Sequence, residues 1–231
     1  MKRIGILLVG CGYYDGSSPW DIAFILRAIE TKGAFPYPFA PSFKLKTVVD
    51  HQRNKETKDA RYAISESARL IRGEIFKLED VTPQDIDALI LPGGYGNYIN
   101  FTQKNRINGE FELYDPLKKL IRGMYIRGKP IGAIGYGIFP LGLALGKIGK
   151  PIVTPGEETD YIEVLENLGV IFTRVPPDEV VYDEVNNVLT SSGINPDVSI
   201  LKGAQGIENL VEYIVSAKRV KRSSDERDKT D

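Results

Sequence analysis

The sequence predicts an α/β fold, a doubly wound and mostly parallel sheet with helices on both faces. Short runs at residues 3–9, 87–91 and 130–134 are apolar almost throughout, as is typical of parallel strands covered on both faces. Segments with the apolar period of a helix separate these runs. Such alternation predicts right-handed crossovers within one sheet. The 231 residues, 42% of them hydrophobic, suffice to bury the core of one such domain.

The first half of the chain gives the following elements. The strand at 3–9 leads through "GCGYYDGSSPW" into a helix with Ser18 as N-cap and Pro19 at its first position, which ends at Gly33. Because proline cannot donate to a neighbouring strand, "FPYPFAP" is predicted to be a strand at an edge of the sheet. We interpret "KTVVDHQRNKET" as a short strand or hairpin and "DARYAISESARLIRG" as a helix closed by Gly73.

The second half continues the alternation. "DIDALILPGGYG" is the clearest strand, "FELYDPLKKLIRGMYIRGK" a helix, and "PIGAIG" a strand that restarts as a helix. Residues 158–168 are predicted to be helical, "VVYDEVNNVLTSS" to be a hairpin turning at Asn186 and Asn187, and 196–216 to be the last helix. Residues 1–217 therefore form one domain. The charged residues 218–231 are predicted to be a solvated, disordered tail.

Composition excludes several functional classes. The net charge of −1 gives no global field toward nucleic acid or membrane, and no apolar run approaches the ~20 residues of a membrane span. The N-terminal run lacks the features of a signal peptide, so we expect a cytoplasmic protein. With one Cys and one His, the chain can form neither an intrachain disulfide nor a Cys/His zinc site. We expect no metal, and a small molecule or a protein as partner.

Glycine-rich loops follow three of the predicted strands: "GCGYYDG", "PGGYG" and "GAIGYG". In doubly wound sheets, ligands bind beyond the carboxyl ends of the strands, where these loops meet. The backbone N–H groups of Gly93 and Gly94, with Tyr136, are candidates for binding an anion; tight strand-to-helix turns explain the same glycines. The first loop departs from the dinucleotide-binding spacing, and Asp15 would crowd a pyrophosphate, so no cofactor is predicted.

The segment "GKPIGAIGYGIFPLG", residues 128–142, reads as a strand that turns sharply into a helix. In many hydrolases and amidotransferases such an elbow presents a Ser or Cys nucleophile on a strained backbone. Here the apex is Gly135, which has no side chain. Glycine tolerates the strained conformation at least cost, so the elbow is expected to persist.

Five segments carry a family resemblance: "LLVGCGYYDGS", "ARYAISESARLIRGEI", "DALILPGGYG", "GKPIGAIGYG" and "YIEVLENLG". In this order they resemble the enhancing lycopene biosynthesis protein-like subfamily of the PfpI and class I glutamine amidotransferase-like superfamily. The resemblance covers residues 2 to about 217. It implies a flavodoxin-like strand order and a homodimer. It also implies that Gly135 stands where the superfamily has its Cys nucleophile, and that Asp21 is the acidic residue that approaches that position.

Other candidate residues have two interpretations each. Cys11 follows the first strand, where it is either a small packing residue or a displaced nucleophile on the pocket side. His51 lies on a polar segment, as an exposed histidine or as a base. Tyr13, Asp15 and Tyr95 are expected to line the pocket, although core packing accounts for tyrosines equally well.

Two functional hypotheses follow. In the first, the chain lacks the elbow nucleophile and binds a small molecule or a partner, with a link to isoprenoid metabolism implied by the resemblance. In the second, it is a glyoxalase-like or hydrolase-like enzyme acting on a small carbonyl or amide compound. Its working groups would then be Cys11 or Asp21 with the amides of Gly93 and Gly94.

Overall fold

A computed structural model describes residues 1–107, 109–155 and 161–222. Along the chain the strands are β1 (Arg3–Leu7), β2 (Phe35–Ala40), β3 (Val48–Asp50), β4 (Lys55–Thr57), β5 (Phe76–Lys77), β6 (Ala88–Leu91), β7 (Thr102–Lys104), β8 (Phe111–Leu113), β9 (Ile131–Ile134), β10 (Ile152–Val153), β11 (Ile171–Phe172), β12 (Val181–Asp183) and β13 (Val188–Ser191). The helices are α1 (Pro19–Thr31), α2 (Ala63–Ile71), α3 (Gly96–Phe101), α4 (Asp115–Ile126), α5 (Ile138–Gly149), α6 (Tyr161–Asn167) and α7 (Ile200–Ser216).

A seven-stranded sheet forms the centre, in the order β12-β13-β9-β6-β1-β2-β5. Neighbouring strands in this sheet are parallel, except that the edge strand β12 pairs antiparallel with β13. The inner strands β2-β1-β6-β9-β13 follow the flavodoxin-like order, in which the second strand precedes the first and the others follow in sequence. The predicted fold class is therefore confirmed.

Alternate side chains of the buried strands pack into two apolar layers. Ile4 and Ile6 of β1 join the layer that α1 and α7 cover, whereas Leu7 joins the layer that α4 and α5 cover. Helices on both faces make β1, β6 and β9 apolar throughout, because neither face meets water. Among the described helices, none has the length and apolar character needed to cross a membrane.

Strand β2 is not an edge strand, contrary to the prediction from its prolines. It lies between β1 and β5, although β5 reaches only Phe39 and Ala40. The N–H of Phe35 donates to the Lys2 carbonyl on the β1 side, so by alternation Pro36 and Pro38 face away from β1. The two prolines, which lack an N–H donor, therefore lie in the part of β2 that does not pair with β5.

Several boundaries differ from those predicted. The last helix begins at Ile200 and not at residue 196, because Asn195 starts a turn that accepts the N–H groups of Asp197 and Val198. Of the expected helix at 158–168, residues 158–160 lie outside the described residues and α6 covers Tyr161–Asn167. In the hairpin, Asn187 alone of the two asparagines has a positive φ, 54°.

The first residues of the predicted tail pack on the domain. The N–H of Val220 donates to the Gly128 carbonyl at 2.9 Å. The guanidinium of Arg222 lies 3.8 Å from the centre of the Tyr125 ring, and its Nη2 donates to the Asn186 carbonyl at 2.8 Å. Residues 218–222 are therefore held in place and not solvated as a free tail; residues 223–231 lie outside the described residues.

Candidate functional site

Gly135 forms the apex of the predicted elbow at the carboxyl end of β9. Its φ is +48°, in the left-handed region, and a 3₁₀ turn leads from it into α5. A Cβ placed there would lie 3.3 Å from the Ser192 carbonyl oxygen and 3.8 Å from the Gly93 Cα. The elbow therefore keeps the left-handed backbone conformation, and a side chain there would need the Ser192 carbonyl to move by a few tenths of an ångström.

Asp21 is buried beside the elbow, in the first turn of α1, and is 1% exposed. Its Oδ2 accepts the N–H of Gly93 and its Oδ1 accepts the N–H of Ile194, both at 3.1 Å. Burial raises its pKa to about 7, although the two backbone hydrogen bonds act in the opposite direction. Asp21 therefore holds the loops after β6 and β13 together and can exchange a proton near neutral pH.

The glycines after β6 serve close packing. A Cβ on Gly93 would clash with the Asp21 carboxylate, and a Cβ on Gly94 or on Gly96 would clash with the backbone of Gly16. The Gly93 N–H, which we expected to face an anion, instead donates to Asp21. Close approach of the loops after β1 and β6 therefore accounts for these glycines, and anion binding by Gly94 stays a prediction.

A small cavity lies at the elbow. It has about 10 Å³ of space for the centre of a water molecule, which is room for one water. The Ser192 Oγ is buried and has no hydrogen-bond partner among the described residues. The polar and aromatic side chains around the cavity belong to Tyr13, Asp21, Tyr136, Tyr161, Ser192 and Asn195.

The predicted tyrosines have different places around this cavity. Tyr13 and Tyr136 line it. Tyr95 does not, but its ring centre lies 5.1 Å from that of Tyr136 in an edge-to-face contact, and its N–H donates to the Tyr13 carbonyl at 2.7 Å. Tyr95 therefore supports the wall from behind.

A larger groove of about 400 Å³ adjoins the elbow cavity. Trp20 is 56% exposed in this groove. The groove shares Tyr13, Ile194 and Asn195 with the elbow cavity, and its other walls include Tyr14, Pro19, Trp20, His51 and Pro196.

Asp15 lies behind the groove and not in its lining, contrary to our expectation. It is 2% exposed, and its Oδ2 accepts the Val49 N–H at 2.7 Å. The His51 Nε2 lies 3.6 Å from the Asp15 Oδ1, and the His51 Nδ1 carries a proton because its partner at 3.0 Å is the Val49 carbonyl. Burial raises the pKa of Asp15. These contacts anchor the β3–β4 hairpin. His51 is exposed, which agrees with one of its two interpretations from the sequence.

Cys11 lines neither cavity. Burial and the nearby charge of Glu66 raise the pKa of its thiol, only partly opposed by Arg69. The thiol is therefore protonated at neutral pH, a poor nucleophile that lies toward α2 and not on the elbow side.

The loop after β13, which supplies Ser192, Ile194 and Asn195, was not predicted to contribute to the site. The signal was the segment "TSSG", a strand that ends in small polar residues and a glycine, like the three loops that were recognised. Within the described ranges, no group of three or more His, Cys, Asp or Glu residues is placed to hold a metal ion.

No family model matches the chain. It is, however, 30% identical over 223 residues to the human glutamine amidotransferase-like class 1 domain-containing protein 3, mitochondrial, with 92% of this chain and 82% of the human protein covered. The chain belongs to the glutamine amidotransferase-like class 1 family. The rat ES1 protein homolog, mitochondrial, is 27% identical over 223 residues and covers 92% of this chain and 83% of its own length.

A solved structure with an amidotransferase-like domain is also similar to this chain. The isoprenoid biosynthesis protein with amidotransferase-like domain from Ehrlichia chaffeensis has a TM-score of 0.84 and 27% identity, over 92% of this chain and 98% of its own. The resemblance stated from the sequence is therefore confirmed. The prediction of a cytoplasmic location is wrong, because the curated family members of rat and human are named mitochondrial.

Proposed function

We propose that this member of the glutamine amidotransferase-like class 1 family binds a small molecule at the elbow and does not use the elbow for nucleophilic catalysis. One observation carries the proposal. Gly135 keeps the left-handed backbone of a nucleophile elbow, beside a buried carboxyl group, yet has no sulfur or hydroxyl to attack with. The pocket is thus retained without the group that covalent chemistry needs.

The name of the Ehrlichia relative adds a metabolic setting. That protein is described as an isoprenoid biosynthesis protein, and we propose the same setting for this chain. The homodimer implied by the family resemblance also stays a prediction.

A second candidate function rests on Asp21. A buried carboxyl group whose pKa is raised to about 7 is suited to move protons at neutral pH, so acid–base chemistry on a small carbonyl or amide compound is the alternative. The version of this hypothesis that uses Cys11 loses support, because that thiol lines neither cavity and its pKa is raised.

A turnover screen with glyoxals and small amides tests both candidates. We expect no turnover by the natural protein or by Cys11→Ser, and activity in Gly135→Cys about tenfold or more above Gly135→Ala. The sulfur would stand at the cavity that Asp21 also lines, after a shift of a few tenths of an ångström at the Ser192 carbonyl, while the left-handed backbone costs about 1–2 kcal/mol for any side chain. Gly135→Ala is the matched control, since it has the same strain without sulfur.

Other outcomes would contradict the proposal. Turnover by the natural protein that disappears in Asp21→Asn would establish the acid–base candidate. Turnover that disappears in Cys11→Ser would move the chemistry to the loop after β1.

A further inference from the structure

The elbow cavity and the groove are adjacent spaces of different size. They share Tyr13, Ile194 and Asn195 as common walls. The elbow end has room for one water-sized group, whereas the groove, at about 400 Å³, is in the ~300–1,000 Å³ range of small-molecule sites. A ligand that fills both has one small head and a larger body.

The groove end is apolar and aromatic. Trp20 is 56% exposed and Tyr14 is 40% exposed, with Pro19 and Pro196 beside them. Large exposed rings around a concave surface are typical of walls that a bound apolar molecule covers. The body of the ligand is therefore hydrocarbon.

The charges around the two cavities disfavour an anionic head. Among the described residues, neither lining contains a Lys or an Arg, and the ionisable groups there other than tyrosines are Asp21 and His51. The His51 ring already faces the Asp15 carboxyl group, 3.6 Å away. A phosphate or carboxylate at the elbow would be buried beside the Asp21 carboxyl group with no cation to compensate, which is strongly unfavourable.

One polar group at the elbow still needs a partner. Ser192 lines the elbow cavity, and its Oγ is buried and has no hydrogen-bond partner among the described residues. Its hydroxyl can donate to an oxygen or accept from a hydroxyl. A single uncharged oxygen atom matches both this group and the volume of the cavity.

We propose that the site binds a neutral amphipathic molecule, with its hydrocarbon body in the groove and one hydroxyl or carbonyl oxygen at Ser192 in the elbow cavity. This inference rests on the proposed function, that the elbow binds a small molecule.

The single tryptophan of the chain, Trp20, reports binding directly because it stands in the groove. We would titrate the purified protein at pH 7 with 1-octanol, octanoate and octylammonium, and follow tryptophan emission. A saturable change with 1-octanol is expected, with apparent affinities for the two ions at least about tenfold weaker, since each would be desolvated without a matched partner. Equal or tighter binding of either ion, or no response to 1-octanol, would overturn the proposal. The last result includes the case in which a second copy of the chain covers Trp20.

Two variants and a control locate the head and the body. Ser192→Ala should weaken 1-octanol binding by about fivefold to tenfold, because the oxygen of the ligand loses its hydrogen-bond partner. Tyr14→Ala should weaken it to a similar extent by removing a wall of the groove. Tyr213→Ala, at a similarly exposed tyrosine of α7 outside both cavities, should have no effect. Unchanged affinity in Ser192→Ala would contradict the placement of the head.

The two proposals can fail separately. Turnover by the natural protein would refute the binding-only function and leave the octanol titration standing. Tight octanoate binding would refute the neutral ligand and leave the Gly135→Cys comparison standing.

Discussion

Replacing Asp21 by Asn is expected to remove a pH dependence of stability on the order of 4 kcal/mol between pH 4 and pH 8. The folded protein holds the proton of Asp21 up to a pKa of about 7, whereas the ordinary value is 3.8. Between these two values the folded state binds more protons than the unfolded state, so stability falls as the pH rises. This contribution is fully present below about pH 4 and is lost by the time the pH passes the folded pKa of about 7.

Urea unfolding at pH 4, 6 and 8 measures the effect. The free energy of unfolding of the natural protein minus that of Asp21→Asn should decrease steadily over this range. The lost hydrogen bond costs the variant about 1–3 kcal/mol at every pH, because a carboxamide has one oxygen for the two N–H groups of Gly93 and Ile194. The variant should therefore be the less stable protein at pH 4 and the more stable one at pH 8, where the natural protein has to bury a carboxylate. Asp80→Asn, at an exposed position, controls for the removal of a carboxylate. Parallel pH profiles for the natural protein and Asp21→Asn would show that the pKa of Asp21 is the same in the folded and unfolded protein.

The same residue illustrates how much of the site the sequence could predict. Local patterns placed Ser18 as the N-cap of α1 and Gly135 at the end of β9, and both positions are confirmed. The proximity of Asp21 to Gly135 came from the family resemblance, because the 113 intervening positions carry no local signal of that contact. Ile194 and Ser192 were missed because their contribution depends on β13 lying next to β9, which is a property of the sheet and not of the segment.

Short strands mark a second limit of the sequence. β5 and β10 have two residues each, too few to show any period, and β7 and β8 have three. Longer apolar runs such as β6 were predicted because a strand buried on both faces is apolar throughout, whichever strands lie next to it. The prediction for β2 was wrong because each proline removes one hydrogen-bond donor, on one side of the strand and at its own position only. The rest of the strand can still pair on that side.

Gly96→Ala is expected to destabilise the protein by about 3–5 kcal/mol, although alanine is intrinsically the better helix former by about 1 kcal/mol. The added Cβ would overlap the Cα, N and C atoms of Gly16, so backbone and not a flexible side chain would have to move. Gly16 belongs to the loop that also carries Tyr13, one wall of both cavities. Thermal or urea unfolding of the variant measures the loss.

Gly33→Ala is the matched control, because a Cβ there meets no atom within 4 Å but has a φ of +65°. It should cost about 1–2 kcal/mol, the strain of the left-handed backbone alone. A loss in Gly96→Ala well above this value would show that contact between the loops after β1 and β6 is what requires glycine in "PGGYG". If Gly96→Ala proved as mild as the control, close packing would not account for these glycines, and anion binding by the backbone of this loop would become the better explanation of Gly94.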